Sequence, residues 1–388
     1  MHAPSVMFVN GTLYGGGAEH VIATCARHLR DSGHRVTIAV IHRGAEVQRE
    51  LIREGFDVVS EIATAPGGGF SSGRLKRLVE ERGIDVVHSH DLRSLIDVGL
   101  CRLRSRRFVH MHTFHFGNYP FISRKQQLME TVFARVPDQL VAVGNAQQAS
   151  LIRALRLSPS RIRTIWNGVD WTVAPESNDV ADQSAARVRI GSVSTLGEQK
   201  GVPTLLQAAR ILQDRGHAFQ LVIVGEGPMR APLERMAVEI GVSANVQFTG
   251  WKPDAAETML PTFDIFVQSS YWEAMSVVIL EAMAARRAIV ATTVGENPLV
   301  LSHGESAILV PPKDAESLAD GLARLITDAV LRRRLADNAH AAYREHFTGR
   351  AMADRYAAAY RECLTRRRAA SPGSARTQAA IPRVGNTK

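Results

Sequence analysis

The sequence predicts an α/β protein built as two doubly wound domains joined by a linker. Three observations carry this. The length of 388 residues corresponds to two to three ordinary domains. Short apolar runs rich in β-branched residues alternate with stretches of helical period. One polar, aperiodic break interrupts that rhythm between residues 171 and 187. Strands of this kind, separated by helices, are buried on both faces and form parallel sheets. An apolar fraction of 45% supplies such cores and excludes a disordered, collagenous or disulfide-stapled chain.

Residues 6–9 read as the first strand, and the turn Tyr14-Gly15-Gly16-Gly17 follows it. A helix is expected over 18–32, with Val21, Ile22, Cys25, Ala26 and Leu29 on one face and Gly33 at its left-handed stop. Further strands are expected at 35–41, 58–60, 85–88, 108–111, 140–143 and 163–166. After the break the rhythm restarts with strands at 188–193, 220–224, 246–249, 265–268, 288–292 and 307–310. Helices are expected at 203–215, 228–240 and 277–286, then a long helical stretch over 314–345 and a last helix over 352–366. The expected organisation is an N-terminal domain 1–170, a linker 171–187 and a C-terminal domain 188–346. A helix 347–368 packing back toward the first domain and a disordered basic tail 369–388 complete it.

The formal net charge of +9 invites a nucleic-acid reading until the charge is located. Six basic and no acidic residues lie between Arg366 and Lys388, so the preceding chain carries 41 basic against 38 acidic side chains, a net of +3. Those charges are interspersed, aromatics are only 6%, and no nucleic-acid motif appears, so no nucleic-acid partner is expected. Three scattered cysteines fit reduced thiols, and no apolar run approaches the ~18 residues of a membrane span. The expected location is the cytoplasm, with the basic tail able to touch an anionic membrane from its inner face.

The richest stretch for chemistry is Ser269-Ser-Tyr-Trp-Glu-Ala-Met-Ser-Val-Val-Ile-Leu-Glu. Glu273 and Glu281 straddle a loop-to-helix junction with Ser276 as a candidate N-cap. The helix from Val277 would offer free N–H groups and a positive dipole end to an anion. A phosphate there, flanked by two carboxylates, suits a nucleotide-sugar; the plainer alternative is an amphipathic helix with one buried Glu. Lys200-Gly201 follows a strand and can meet a phosphate, although the spacing is not that of a P-loop and such a pair can be only a turn. Gly15-Gly16-Gly17 lacks full G-x-G-x-x-G spacing and reads either as a phosphate approach or as a tight turn. His88, His90, His110, His112 and His115 fall at the carboxyl ends of expected strands. They stand open as a polar site rim, as buried structural groups or, with no H-e-x-x-H or C-x-x-C support, as metal ligands.

Together these segments resemble the retaining family 4 glycosyltransferases, which have the GT-B fold of two Rossmann-like domains facing across a cleft. The resemblance runs from about Val6 to Phe347. It rests on the E-x7-E signature Glu273…Glu281, with Gly16-Gly17-Ala18-Glu19, Trp166-Asn167-Gly168-Val169-Asp170, Lys200-Gly201 and Val224-Gly225-Glu226-Gly227-Pro228 around it. It implies metal-independent transfer of a sugar from a UDP- or GDP-sugar donor to a glycan or lipid-linked acceptor, without a further cofactor. By that resemblance Glu273, Lys200 and His112 line the reaction centre. Gly16, Gly17, Thr195, Arg230, Ala274, Met275, Ser276, Val277 and Glu281 join Lys200 in holding the donor. Three positions depart from the family pattern: Thr195 stands where an arginine is usual, and Ala274 and Arg286 where glycine is usual. Arg230 is the candidate to supply the missing diphosphate contact. An abundance of Arg and Ala fits a role in bacterial surface polysaccharide or lipopolysaccharide synthesis. A non-hydrolysing nucleotide-sugar epimerase and a catalytically silent sugar-nucleotide-binding subunit are the competing readings.

Overall fold

A computed structural model describes residues 3–63, 70–116, 122–172, 187–252 and 254–369. Most of the expected linker and the tail beyond 369 therefore lie outside the described residues. The first sheet comprises β1 (Val6–Asn10), β2 (Val36–Val40), β3 (Asp57–Val59), β4 (Val86–Ser89), β5 (Val109–Phe114), β6 (Gln139–Ala142) and β7 (Ile162–Thr164). Its order is β3-β2-β1-β4-β5-β6-β7, and every pairing is parallel. Its helices are α1 (Gly17–Asp31), α2 (Glu46–Arg53), α3 (Ser72–Arg82), α4 (Leu92–Arg104), α5 (Arg124–Phe133) and α6 (Asn145–Leu155). The second sheet holds β8 (Val188–Val193), β9 (Phe219–Val224), β10 (Val246–Gly250), β11 (Ile265–Gln268), β12 (Ala288–Thr292) and β13 (Ile308–Val310), in the parallel order β10-β9-β8-β11-β12-β13. Its helices are α7 (Val202–Asp214), α8 (Arg230–Glu239), α9 (Ala255–Met259), α10 (Val277–Ala284), α11 (Asn297–Val300), α12 (Ala315–Thr327) and α13 (Ala329–His346).

In each sheet the strand order reverses beside the first strand, at β1/β4 and at β8/β11. These switch points are where doubly wound sheets open a crevice at their carboxyl ends. The strands are legible because both faces are covered: β1, for example, is buried at all five positions. The helical stretch expected over 314–345 is present as two helices. Asp328 adopts extended backbone and its carboxylate accepts from Leu331 N–H, capping α13 where the apolar period alone runs through. The helix expected from 228 begins at Arg230.

The last helix, α14 (Gly349–Ala369), packs on α1 and enters the core under the first sheet with Met352, Tyr356 and Tyr360. The chain passes between the two sheets twice, and the passages pair. Val169 N–H donates to Phe347 O (3.0 Å), Gly349 N–H to Val169 O (2.9 Å), and Tyr343 OH also donates to Val169 O (3.0 Å).

Candidate active site

The carboxyl ends of β8 and β11 bring together Lys200 and Glu273. Lys200 Nζ lies 2.7 Å from Glu273 Oε1, and the Glu273 side chain is only 8% exposed. Ser270 Oγ donates to the same oxygen (2.8 Å) and Gln199 Nε2 to Oε2 (3.2 Å). Three donors on a buried carboxylate fix it in position, as a buried charge demands. The turn carrying Lys200 is seated on the β11 loop: Ser269 Oγ donates to Lys200 O (2.9 Å), and Tyr271 N–H to Gln199 O (2.7 Å). Gly201 makes this approach possible. It has a left-handed φ of 60°, and a Cβ there would stand 2.0 Å from Ser269 O.

At the start of α10, where an anion site is expected, the structure corrects one point. Ser276 is the N-cap residue, but its side chain does not cap the helix, because its hydroxyl accepts from Gln268 Nε2 (2.6 Å). Asn297 Nδ2 holds that glutamine in turn through its Oε1 (2.7 Å). Among the described residues no side chain caps α10, so its first N–H groups are free of side-chain partners there, as an anion site requires. Glu281 lies further along the same helix, and burial, with a smaller push from Glu257, raises its carboxyl to about 7.

Across from α10 sits the Gly-rich turn. Gly17 opens α1, and a Cβ added to it would meet Val277 Cγ2 at 3.4 Å. Glu19, whose role was not read from the sequence, shapes that turn. Its buried carboxylate accepts from Gly15 N–H (2.6 Å), Gly16 N–H (2.8 Å) and Thr12 Oγ1 (2.9 Å). The Gly16 amide is therefore engaged within the protein. A Glu three residues after a helix N-cap is a readable sign of such back-bonding. Met275 also faces the first sheet's side, where Asn167 N–H reaches its Sδ (3.2 Å), and Ala274 is buried beside it.

The histidines form a buried polar network. Ser89 Oγ meets His112 Nδ1 at 2.8 Å and His110 Nε2 at 2.9 Å. His88 meets Tyr360 OH (2.7 Å) and Thr113 Oγ1 (2.8 Å), and His90 meets His115 (2.9 Å). Burial pushes all five below the ordinary imidazole range, His110 to about 3 and His115 to about 4, so they are neutral near pH 7. His112 is 2% exposed, and its Nε2 has no partner among the described residues. No group of three His, Cys, Asp or Glu side chains among the described residues could hold a metal ion.

Two departures acquire a structure. Arg286 takes the left-handed conformation that glycine favours (φ 56°) and pairs with Asp337. Thr195 is exposed at the mouth of the β8 loop. Arg230 is committed to Glu226 and Glu234, so reaching a diphosphate would require it to exchange partners.

Known families and structures match this fold. The family model "Glycosyltransferase Family 4" matches residues 15–172 and "Glycosyl transferases group 1" matches residues 180–342. The chain belongs to the family 4, group 1 glycosyltransferases. It is 35% identical over 148 residues to the alpha-D-kanosaminyltransferase of Streptomyces kanamyceticus, 38% of each chain. It is 27% identical over 376 residues to a D-inositol 3-phosphate glycosyltransferase of Corynebacterium urealyticum, covering 86% of this chain and 88% of that one. Among solved structures, Anabaena Alr3699/HepE in complex with UDP-glucose superposes with a TM-score of 0.81 at 20% identity, over 92% of this glycosyltransferase and all of that chain. The GT-B architecture is thereby shown.

Proposed function

We propose that this glycosyltransferase moves a hexosyl unit, with retention and without a metal, from a UDP- or GDP-sugar to a glycan or lipid-linked acceptor. The pathway proposed is bacterial surface polysaccharide or lipopolysaccharide synthesis. The observation that carries the reading is the Lys200–Glu273 pair beside an uncapped helix start, with Glu281 deeper on the same helix. The α10 N–H groups and Lys200 receive the diphosphate, Glu281 accepts hydrogen bonds from the ribose diol, and Glu273 with Ala274–Ser276 orients the donor sugar. As the C1–O bond to the β-phosphate breaks, Lys200 stabilises the charge gathering on the leaving oxygen. The acceptor oxygen bonds to C1 from the same face and its proton passes to that phosphate oxygen, which accounts for retention without a protein nucleophile. His112 offers Nε2 to the sugar from the first sheet. Relatives support the donor and acceptor classes: one from Escherichia coli is a UDP-Gal:alpha-D-GlcNAc-diphosphoundecaprenol alpha-1,3-galactosyltransferase, 25% identical over 66% of this chain.

The test is nucleoside-diphosphate release across a panel of UDP- and GDP-sugars, with and without acceptors and with EDTA. Acceptor-dependent release that survives EDTA is expected, with a fall of about a hundredfold or more in Lys200→Ala. A 2-epimer formed from donor alone would make the protein an epimerase. Tight donor binding without turnover would make it a binding subunit. Wild-type release by both Lys200→Ala and Glu281→Gln would remove the site assignment.

A further inference from the structure

Glu296 stands outside every role assigned above, yet it is a buried carboxylate that reaches from the second sheet's half to the first. It is 1% exposed and follows β12 on the loop that enters α11. Its backbone N–H donates to Ala274 O (3.0 Å). Gly295 before it has a left-handed φ of 53°, and a Cβ there would stand 2.5 Å from Ala274 O and 2.6 Å from Glu273 O. The backbone of residues 295–296 is thus laid directly on the loop that carries Glu273.

The side chain leaves in the other direction, into the first sheet's half of the molecule. Glu296 Oε1 accepts the Ala146 N–H in the first turn of α6. The N-cap of that helix is Gly144, whose backbone is extended and which has no side chain to cap with. Glu296 fills the missing place: a Cβ on Gly144 would fall 2.0 Å from Glu296 Cγ. A carboxylate at a helix N-terminus satisfies an orphan N–H and complements the dipole. Here the cap comes from the opposite half of the molecule, 150 residues away in sequence. The other oxygen, Oε2, is buried with no partner among the described residues, a cost that a purely local cap on the surface would not carry.

We infer that Glu296 is a positioning residue. It fastens the first sheet's half to the loop of Glu273, so that closure of the two halves sets the geometry of the donor-sugar site. The catalytic consequence rests on the function proposed above; the fastening itself does not. Three variants separate the contributions. Glu296→Ala removes the cap. Glu296→Gln keeps a carbonyl acceptor for Ala146. Gly144→Ala leaves the extended backbone at ease and displaces the Glu296 side chain from the other side.

The expected result for Glu296→Ala is a kcat lower by on the order of tenfold, with donor Kd within about twofold of wild type, because Lys200, Glu281 and α10 all belong to the second half. Glu296→Gln should restore kcat to within about threefold of wild type. In solution scattering without any ligand, Glu296→Ala and Gly144→Ala should each show a larger radius of gyration than wild type. In thermal melts the two substitutions should fail to add, since both break one contact and the double variant also removes the clash. Wild-type scattering for both single variants, with additive melts, overturns the fastening whether or not any donor turns over. An enlarged radius with unchanged kcat overturns the positioning role alone. If no donor is turned over by wild type while scattering and melts behave as expected, the proposed function fails and the fastening stands.

Discussion

In the role proposed for it, Glu281 sets both affinity and stability. Its carboxyl is raised from the ordinary 4.5 to about 7 because ionisation in a half-enclosed site is unfavourable. In the proposed role, a ribose diol can donate to both of its oxygens at once only when it is ionised, so protonation competes with the donor. Donor affinity measured by calorimetry should therefore fall by up to about tenfold per pH unit below pH 7 and level off above pH 8. In Glu281→Gln that dependence should vanish along with most of the affinity. Stability runs the opposite way. The folded protein holds this proton more tightly than the unfolded chain, so the contribution of Glu281 to stability declines as pH rises from 4.5 to 7. The full cost, on the order of 3 kcal/mol, persists above that range. Glu281→Gln should accordingly melt higher than wild type at pH 8 and show little difference at pH 4.5, which a thermal melt at the two pH values reads directly. Lys200 and Glu273 present the complementary case, a buried carboxylate already matched by an ammonium, a hydroxyl and an amide.

At the scale of elements, α14 is the piece whose removal from its place would be felt furthest away. Its Tyr360 hydroxyl meets His88 Nδ1 at 2.7 Å and its Tyr356 hydroxyl meets Thr113 Oγ1 at 3.1 Å, both within the core of the first sheet. Burial keeps both tyrosines protonated and His88 neutral, so these are neutral hydrogen bonds within a buried core. Tyr360→Phe leaves a buried imidazole nitrogen without its partner and should cost about 1–3 kcal/mol, read as a lower thermal midpoint with the helix content unchanged. Nearly all the strands were readable in the sequence because a parallel sheet covered on both faces must be apolar at successive positions. The break at Asp328 was not, since an N-cap inside a continuous apolar period changes no periodicity. The same limit applies at the site. Glu273, Glu281 and Lys200 carry recognisable spacing, but Gln199 and Ser270 act through loop geometry. Glu296 acts on a helix far away in sequence, a contact that no local pattern encodes.

For the whole molecule, net charge is the property on which the structure bears most. Of the last six basic residues, Arg366 is tied to Glu362 on α14 and to Gln139 at the start of β6. Arg367 is half-buried and held below the ordinary guanidinium range by desolvation. Deleting residues 369–388 would therefore remove only Arg376, Arg383 and Lys388, and would leave α14 docked on α1. No helix among the described residues is long and apolar enough to cross a membrane. Three charges near an anionic bilayer are worth about 1 kcal/mol each at low salt and are screened beyond roughly 10 Å at 0.1 M. The deletion should weaken co-sedimentation with vesicles rich in anionic lipid by about a hundredfold at low ionic strength, with a smaller effect as salt rises. Turnover of a water-soluble acceptor should stay at the wild-type rate, because every group assigned to the donor lies before residue 300. Unchanged vesicle binding would return the tail to the status of solvated charge.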